Sequence, residues 1–176
     1  MKKLLVVVFL FLGLQNAFSQ AALQPRKSPM SVAQNAENGC YIRVIYSQPA
    51  KNDRVIFGNL VPYNEVWRTG ANEATEITFT KDVFFAGKKV KAGTYSLFTV
   101  PQEKNWTVIL NAELGMWGAF TYDVKKDVLR TSATPQSTGS VLWEPFTIKL
   151  EPVDKGVSLQ LFWDKTQVSL PIKPCK

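Results

Sequence analysis

The chain is dominated by short runs of β-branched and aromatic residues, separated by residues that form turns. Each run is typical of a β-strand. The turns between several runs contain Gly, Pro, Asn or Asp at the short spacings of antiparallel hairpins. No segment has a sustained 3.6-residue period, which argues against a helical fold. The runs cover residues 40–46, 75–80, 94–100, 106–111, 141–150, 157–163 and 167–172.

Several of these runs alternate apolar and polar residues. Ile77 and Phe79 share one face of the second run, and Val108 and Leu110 share one face of the fourth. A run near the C-terminus alternates in the same way. Because each strand has one apolar face, we predict an all-β fold in which two sheets pack together, a single antiparallel β-sandwich of jelly-roll-like architecture.

The N-terminal residues predict export. Two lysines precede the apolar run 4–14, which is too short for a membrane span of about 20 residues. Ala17 and Ser19 supply an A-x-A-like cleavage site, so we expect a signal peptide over residues 1–19 that is cleaved after Ser19. No transmembrane segment is expected after cleavage. A retained membrane anchor is the alternative.

The remainder is interpreted as an N-terminal arm and one domain. Residues 20–39 are polar and contain proline, and we expect this arm to be ordered only if it packs along the domain. Residues 40–176 are assigned to the β-sandwich because no repeat or linker divides them. Loss of the two lysines with the signal peptide lowers the formal charge from +7 to +5. The basic residues are dispersed, so we expect no nucleic-acid partner.

The sequence contains no histidine, which excludes Ser-His-Asp, Cys-His and His-zinc chemistry. A calcium site at Asn72, Glu73 and Glu76 would offer oxygen ligands, but the D-x-D-x-D-G spacing of a dedicated loop is absent. We therefore expect neither a metal nor a cofactor. The polar groups that remain favour recognition over proton transfer.

The two cysteines lie at opposite ends of the predicted domain. In an oxidising compartment, Cys40 and Cys175 could form a disulfide that ties the C-terminus to the domain. Such a bridge would stabilise the fold by about 4 to 5 kcal/mol in the chain-entropy model. The alternative is two free thiols, and the absence of a C-x-x-C motif argues against a redox-active pair.

One long connection, residues 58–76, has the composition of a binding segment. Directional polar groups are dense in it, and apolar residues between them can anchor it to the sandwich. Trp117 joins the candidates from a glycine-flanked loop in which a large ring is expected to be partly exposed. The candidate ligand-binding residues are Tyr63, Trp67, Arg68, Thr69, Asn72, Glu73 and Trp117.

Three strings in the chain resemble the family called domain of unknown function 2911. They are IFGNLVPYNEVWRTGANEAT at residues 56–75, AGTYSLF at 92–98 and WTVILN at 106–111. The resemblance implies an all-β protein exported by a Gram-negative bacterium, with no established activity. It marks Trp67 to Thr75 as the family's signature. Asn64 and Gln48 stand where Gly and Arg are expected in many relatives.

Two interpretations of the polar segment remain open. In the structural one, Arg68 is a buried strut paired with Glu73 and backbone carbonyls, and the segment closes one end of the sandwich. In the functional one, Arg68, Asn72 and Glu73 point into a cleft walled by Trp67 and Tyr63.

The sequence therefore predicts a binding or interaction module. We expect it to recognise a small polar or anionic ligand (a carboxylate, a phosphate or a glycan), or an envelope protein, through the loop from Tyr63 to Glu76. The location is periplasmic, outer-membrane-associated or secreted. The alternative is a small envelope hydrolase that uses Glu73 or Glu76, with Arg68 as an anion clamp. A structural subunit of an envelope complex is a third class.

Overall fold

The computed structural model describes residues 24–36 and 39–175. The predicted signal peptide over residues 1–19 lies outside the described residues. Over the described residues the chain forms twelve β-strands and a short 3-10 turn, and no helix in that part is long and apolar enough to cross a membrane. The elements are β1 Met30–Asn35, β2 Ile42–Ser47, β3 Thr75–Phe79, β4 Val83–Phe85, β5 Lys88–Val90, β6 Gly93–Val100, β7 Trp106–Asn111, the 3-10 turn Val124–Lys126, β8 Asp127–Ala133, β9 Gln136–Ser137, β10 Trp143–Val153, β11 Gly156–Asp164 and β12 Thr166–Pro174.

The strands form two antiparallel sheets. The first has the order β1-β2-β3-β6-β7-β8, and the second has the order β10-β11-β12-β4-β5, with β9 paired to the other end of β12. Along the two margins, β1 lies beside β10 and β5 lies beside β8. The antiparallel β-sandwich predicted from the sequence is confirmed.

Alternation along the strands places one face of each sheet in a shared core. In β3, Ile77 and Phe79 are buried while Thr78 between them is half-buried. In β11, Leu159 and Leu161 are buried against the same core. Burying one such side chain contributes about 1.5 to 3 kcal/mol. The two apolar faces therefore hold the sheets together.

One end of the core is aromatic. The rings of Trp67 and Trp163 stack with centroids 5.8 Å apart, and the ring of Phe146 meets both of them edge-on. Phe57 packs edge-on against Trp106 at 4.8 Å. Phe57 and Trp67 both belong to the long connection between β2 and β3. This connection therefore closes one end of the sandwich with its own aromatic rings.

Part of the expected N-terminal arm belongs to the first sheet. Strand β1 pairs with β2 in antiparallel register, from Met30 opposite Ser47 to Asn35 opposite Ile42. This pairing is the packing on which the order of the arm was expected to depend. The sheet begins ahead of residue 40, where the sequence placed the start of the domain.

Cys40 and Cys175 are free thiols, which is the alternative to the disulfide considered from the sequence. Cys40 is fully buried in the core, whereas Cys175 is half-buried just after β12. The C-terminus is held by backbone pairing instead. Strand β12 pairs with β4, and the N–H of Cys175 donates to the carbonyl of Asp82 at 2.9 Å.

Candidate functional site

The connection between β2 and β3 is fixed by backbone hydrogen bonds to three other parts of the chain. Trp67 exchanges both of its backbone hydrogen bonds with Thr99 at the end of β6. Farther along, the N–H of Ala74 donates to the carbonyl of Met116 at 2.8 Å. The first part of the connection pairs with β10 through Ala50. The candidate side chains are therefore presented by a rigid segment.

Trp67 is a core residue. Its side chain is stacked on Trp163, and the residue is only 7% exposed. The indole Nε1–H donates to the carbonyl of Gly70 at 3.0 Å, so its polar atom is also satisfied. Trp67 therefore closes the core with its ring and also borders a cleft beside Arg68, although the ring itself is almost entirely buried.

Thr69 also points inward. The residue has no exposed surface, and its hydroxyl donates to the carbonyl of Trp67. It lies 3.2 Å from the hydroxyl of Thr99, while the hydroxyl of Thr75 donates to the Thr69 carbonyl at 2.6 Å. These bonds hold a left-handed turn at Thr69, where φ is 54°. Thr69 is therefore closed to a ligand.

Arg68, between these two inward residues, has no counter-ion. The predicted pair with Glu73 is not formed, and no acidic side chain within the described part of the chain lies within 4.0 Å of the guanidinium. Its Nε is buried and has no hydrogen-bond partner. Burial lowers the pKa of Arg68 from its ordinary value, but an arginine remains a cation in proteins. A half-buried positive charge is thus left without compensation.

A cleft of about 290 Å³ lies next to Arg68. It is bordered by residues 60–62, 65–68 and 119–120, so one wall comes from the β2–β3 connection and the other from the β7–β8 connection. The charged residues at its border are Arg68 and Glu65. Glu65 is exposed. The structure therefore provides a concave space next to the uncompensated guanidinium.

Glu73 is engaged by a residue that sequence reasoning did not find. Nη2 of Arg26 lies 2.7 Å from both carboxylate oxygens, and the hydroxyl of Ser47 donates to Oε2 at 3.3 Å. Burial raises the pKa of Glu73, but hydrogen bonds from Arg26, the backbone and Ser47, together with the positive charge of Arg26, outweigh burial, so the pKa is lowered. The Glu73 carboxylate is therefore stabilised in its charged form.

Asn72 and Trp117 lie at the junction of the two connections. The carbonyl of Asn72 accepts the N–H of Gly118 at 2.8 Å, and Glu73 forms a backbone bridge with Trp117. Asn72 has a φ of 58°, a left-handed conformation that asparagine tolerates. Trp117 is 59% exposed, in line with its glycine-flanked loop. These residues border neither wall of the cleft beside Arg68.

Two further predicted residues also lie away from this cleft. Tyr63 borders a separate hollow with residues 102–105, and its ring lies over Gly58, where an added Cβ would approach it to 2.8 Å. Glu76 accepts the N–H of Gly115 at 2.9 Å. Within residues 24–36 and 39–175, no group of three or more acidic or cysteine side chains could hold a metal ion.

Leu60 and Phe120, two apolar members of the cleft, were not among the candidates from the sequence. Phe120 is 83% exposed and Leu60 is 40% exposed, and both border the cleft. The one available signal was the position of Phe120 two residues after Gly118, in the same glycine-flanked loop that suggested Trp117. No local pattern connects this loop with Arg68, because the two are about fifty residues apart.

The two sheets and the cleft define an all-β protein with a concave site at one end of its sandwich. The chain matches the model of the family described as "Protein of unknown function (DUF2911)" over residues 28–172. It belongs to this family, so the resemblance noted from the sequence is confirmed. No curated protein and no solved structure matches the chain.

Proposed function

We propose that the protein is a binding module for a small anion, a carboxylate or a phosphate, which Arg68 holds in the adjacent cleft. The observation that supports this function is the guanidinium without a counter-ion, whose buried Nε has no partner. A planar guanidinium offers a fork of donors that suits these anions. A bound anion would supply the missing charge and would accept hydrogen bonds from the guanidinium.

The absence of a protein partner favours this role over the structural strut. A buried charge is tolerated when it is paired, because removing it from water is costly. In a strut, the counter-ion would be part of the chain, as Glu73 is for Arg26. Arg68 lacks such a partner within the described residues and borders a cleft. An unpaired, half-buried guanidinium contributes little to the stability of the fold, but it can bind an anion from solution.

The hydrolase alternative has less support. A general acid at neutral pH needs a raised pKa, whereas the pKa of Glu73 is lowered by Arg26. Glu76 is bonded to the backbone of Gly115 and lies away from Arg68's cleft. We therefore propose binding without turnover. Hydrolysis of an envelope glycan that required both carboxylates, and was lost in Glu73→Gln and Glu76→Gln, would favour the alternative.

We also propose that this binding takes place outside the cytoplasm. The support is the sequence pattern of residues 1–19, in which two lysines, an apolar run and small residues precede the domain. N-terminal sequencing of the protein from a periplasmic fraction tests this directly. A mature chain that begins at Gln20 is expected, and an intact Met1 in the cytoplasmic fraction would contradict it.

Calorimetric titration tests the anion site. Acetate and phosphate are added separately to the mature protein, with glucose as a neutral ligand. Arg68→Gln is compared with Arg43→Gln, a matched control because Arg43 is exposed near the start of β2. Saturable acetate or phosphate binding is expected in the wild type and in Arg43→Gln, with a dissociation constant of about 1 mM or lower, and no binding in Arg68→Gln. Equal binding by the two variants, or none by the wild type, would refute the proposal.

A further inference from the structure

The cleft beside Arg68 is larger than a simple anion needs. Its volume is about 290 Å³, whereas one water molecule takes up about 30 Å³ of the liquid. A carboxylate paired with Arg68 would therefore fill a small part of it. The remaining space would have to be filled by water or by another part of the same ligand.

Most of the residues that border this space are apolar, while its exposed surface is about evenly polar and apolar. Val61, Pro62, Val66 and Ala119 border it, together with Leu60 and Phe120 at its rim. Large apolar side chains exposed beside a concavity mark a binding surface. An apolar ligand group would cover surface here that is now in water.

Phe120 is held at the rim by the conformation of its own loop. Gly118 has a φ of 72°, and a Cβ added there would lie 2.8 Å from Cε2 of the Phe120 ring. The ring can approach the backbone this closely because glycine has no side chain. The hydrogen bond from Gly118 to Asn72 ties this loop to the opposite connection. In the structure the ring therefore lies against its own loop at the border of the cleft.

Glu65 narrows the choice of anion. It borders the same cleft as Arg68, and it has no ion pair among the residues that the structure describes. A ligand with a second negative charge would be repelled by this carboxylate. A singly charged carboxylate would meet Arg68 with less repulsion than a phosphate dianion.

We propose that the cleft selects an amphiphilic monocarboxylate, an inference that rests on the anion site proposed above. The carboxylate pairs with the guanidinium of Arg68, and an aliphatic or aromatic body lies against Leu60 and Phe120. Selectivity then has two parts, one due to charge and one due to apolar contact.

Three probes separate the two parts by calorimetric titration of the mature protein. 3-Phenylpropionate carries both the carboxylate and the apolar body, acetate carries the charge alone, and 3-phenyl-1-propanol carries the apolar body alone. We expect 3-phenylpropionate to bind about tenfold more tightly than either of the others, because its ring is removed from water. Phosphate at pH 8 is expected to bind more weakly than 3-phenylpropionate, and its affinity should rise in Glu65→Gln.

The variants assign each part to a residue. Phe120→Ala is expected to reduce 3-phenylpropionate binding to the level of acetate while acetate binding stays unchanged. Since Phe120 is exposed, this variant should fold normally. The matched control is Phe84→Ala, which removes an exposed phenylalanine from β4 in the second sheet and should change neither affinity. Arg68→Gln should reduce 3-phenylpropionate binding to the level of the alcohol.

Different results overturn the two proposals. If acetate binds through Arg68 but 3-phenylpropionate binds no more tightly, the preference for an amphiphilic ligand is wrong and the anion site stands. If Phe120→Ala and Phe84→Ala weaken 3-phenylpropionate equally, the assignment of its body to this cleft is wrong. If no anion binds through Arg68, both the site and its ligand class are wrong.

Discussion

Replacing Arg68 by methionine is predicted to leave the fold as stable as the wild type or slightly more stable. The guanidinium has a buried Nε without a partner, and such a group costs about 1 to 3 kcal/mol. Methionine keeps an unbranched side chain that can fill the same space. Because Arg68 is only half-buried, part of the cost is already relieved by water. We expect the free energy of unfolding to rise by about 0 to 1 kcal/mol.

The structural interpretation predicts the opposite sign. Removing one member of a buried ion pair costs about 3 to 5 kcal/mol, because the other charge is left unpaired. The two interpretations therefore differ by several kcal/mol. A residue that binds a ligand often lowers the stability of the empty protein, which is the trade-off expected here.

Urea unfolding followed by tryptophan fluorescence measures this difference. The protein is dialysed free of carboxylates and phosphates, so that no ligand stabilises the wild type. Arg43→Met is the control for loss of an exposed arginine and should change the unfolding free energy by less than about 0.5 kcal/mol. A loss of about 2 kcal/mol or more in Arg68→Met alone would refute the reasoning, since a paired strut loses that much or more.

Three further predictions concern residues of the two connections that form the walls of the cleft. Trp67→Ala should lower the free energy of unfolding by about 3 to 5 kcal/mol, because it opens a cavity in the aromatic core; urea unfolding measures it. Gly118→Ala should cost about 1 to 3 kcal/mol, because φ is 72° and the new Cβ meets Phe120, and this cost appears in the same measurement. Glu73→Gln should lower the free energy of unfolding by less than about 1 kcal/mol at pH 7, since the ion pair is exposed. When the pH is lowered, the stability of this variant should fall less than that of the wild type.

The sign of the pH effect follows from the lowered pKa of Glu73. Its stabilising contribution is complete above the unfolded value of about 4.5 and is lost as the pH falls through the lower value of the folded state. If the stability of Glu73→Gln falls as much at acidic pH as that of the wild type, this account is contradicted. For the other two variants, the contradicting result is an unfolding midpoint within error of the wild type.

The fold could be predicted because most strands carry their own signal. Alternation in β3 and β7 and at the C-terminus requires one buried face, and two such faces must cover each other. Strands β1, β4, β5, β8 and β9 were missed. Strand β5 is a three-residue strand with two exposed lysines, and β1 lies at an edge without a β-branched run. Such strands form because a neighbouring strand pairs with them, so their own residues give little indication of a strand.

The site could be predicted only in part. The segment that contains Arg68 and Trp67 was recognised, but Thr69, which was also a candidate, is fully buried. Side chains alternate over residues 67–69: those of Trp67 and Thr69 point into the core, and that of Arg68 points outward. Arg26 pairs with Glu73 across 47 positions, and Phe120 reaches the cleft from another connection. Contacts between such distant residues depend on the folded topology and leave no pattern in the local sequence.

The central claim is that Arg68 binds an anion, and its Nε–H group reports on this directly. In a 15N-resolved NMR titration with 3-phenylpropionate, the Nε–H signal of Arg68 is predicted to shift and to saturate, because a charge-assisted hydrogen bond forms on the same guanidinium. The signals of Arg43 and Arg54 serve as internal controls and should not move. An Arg68 signal that stays in place, or that moves no more than these two, would contradict the claim.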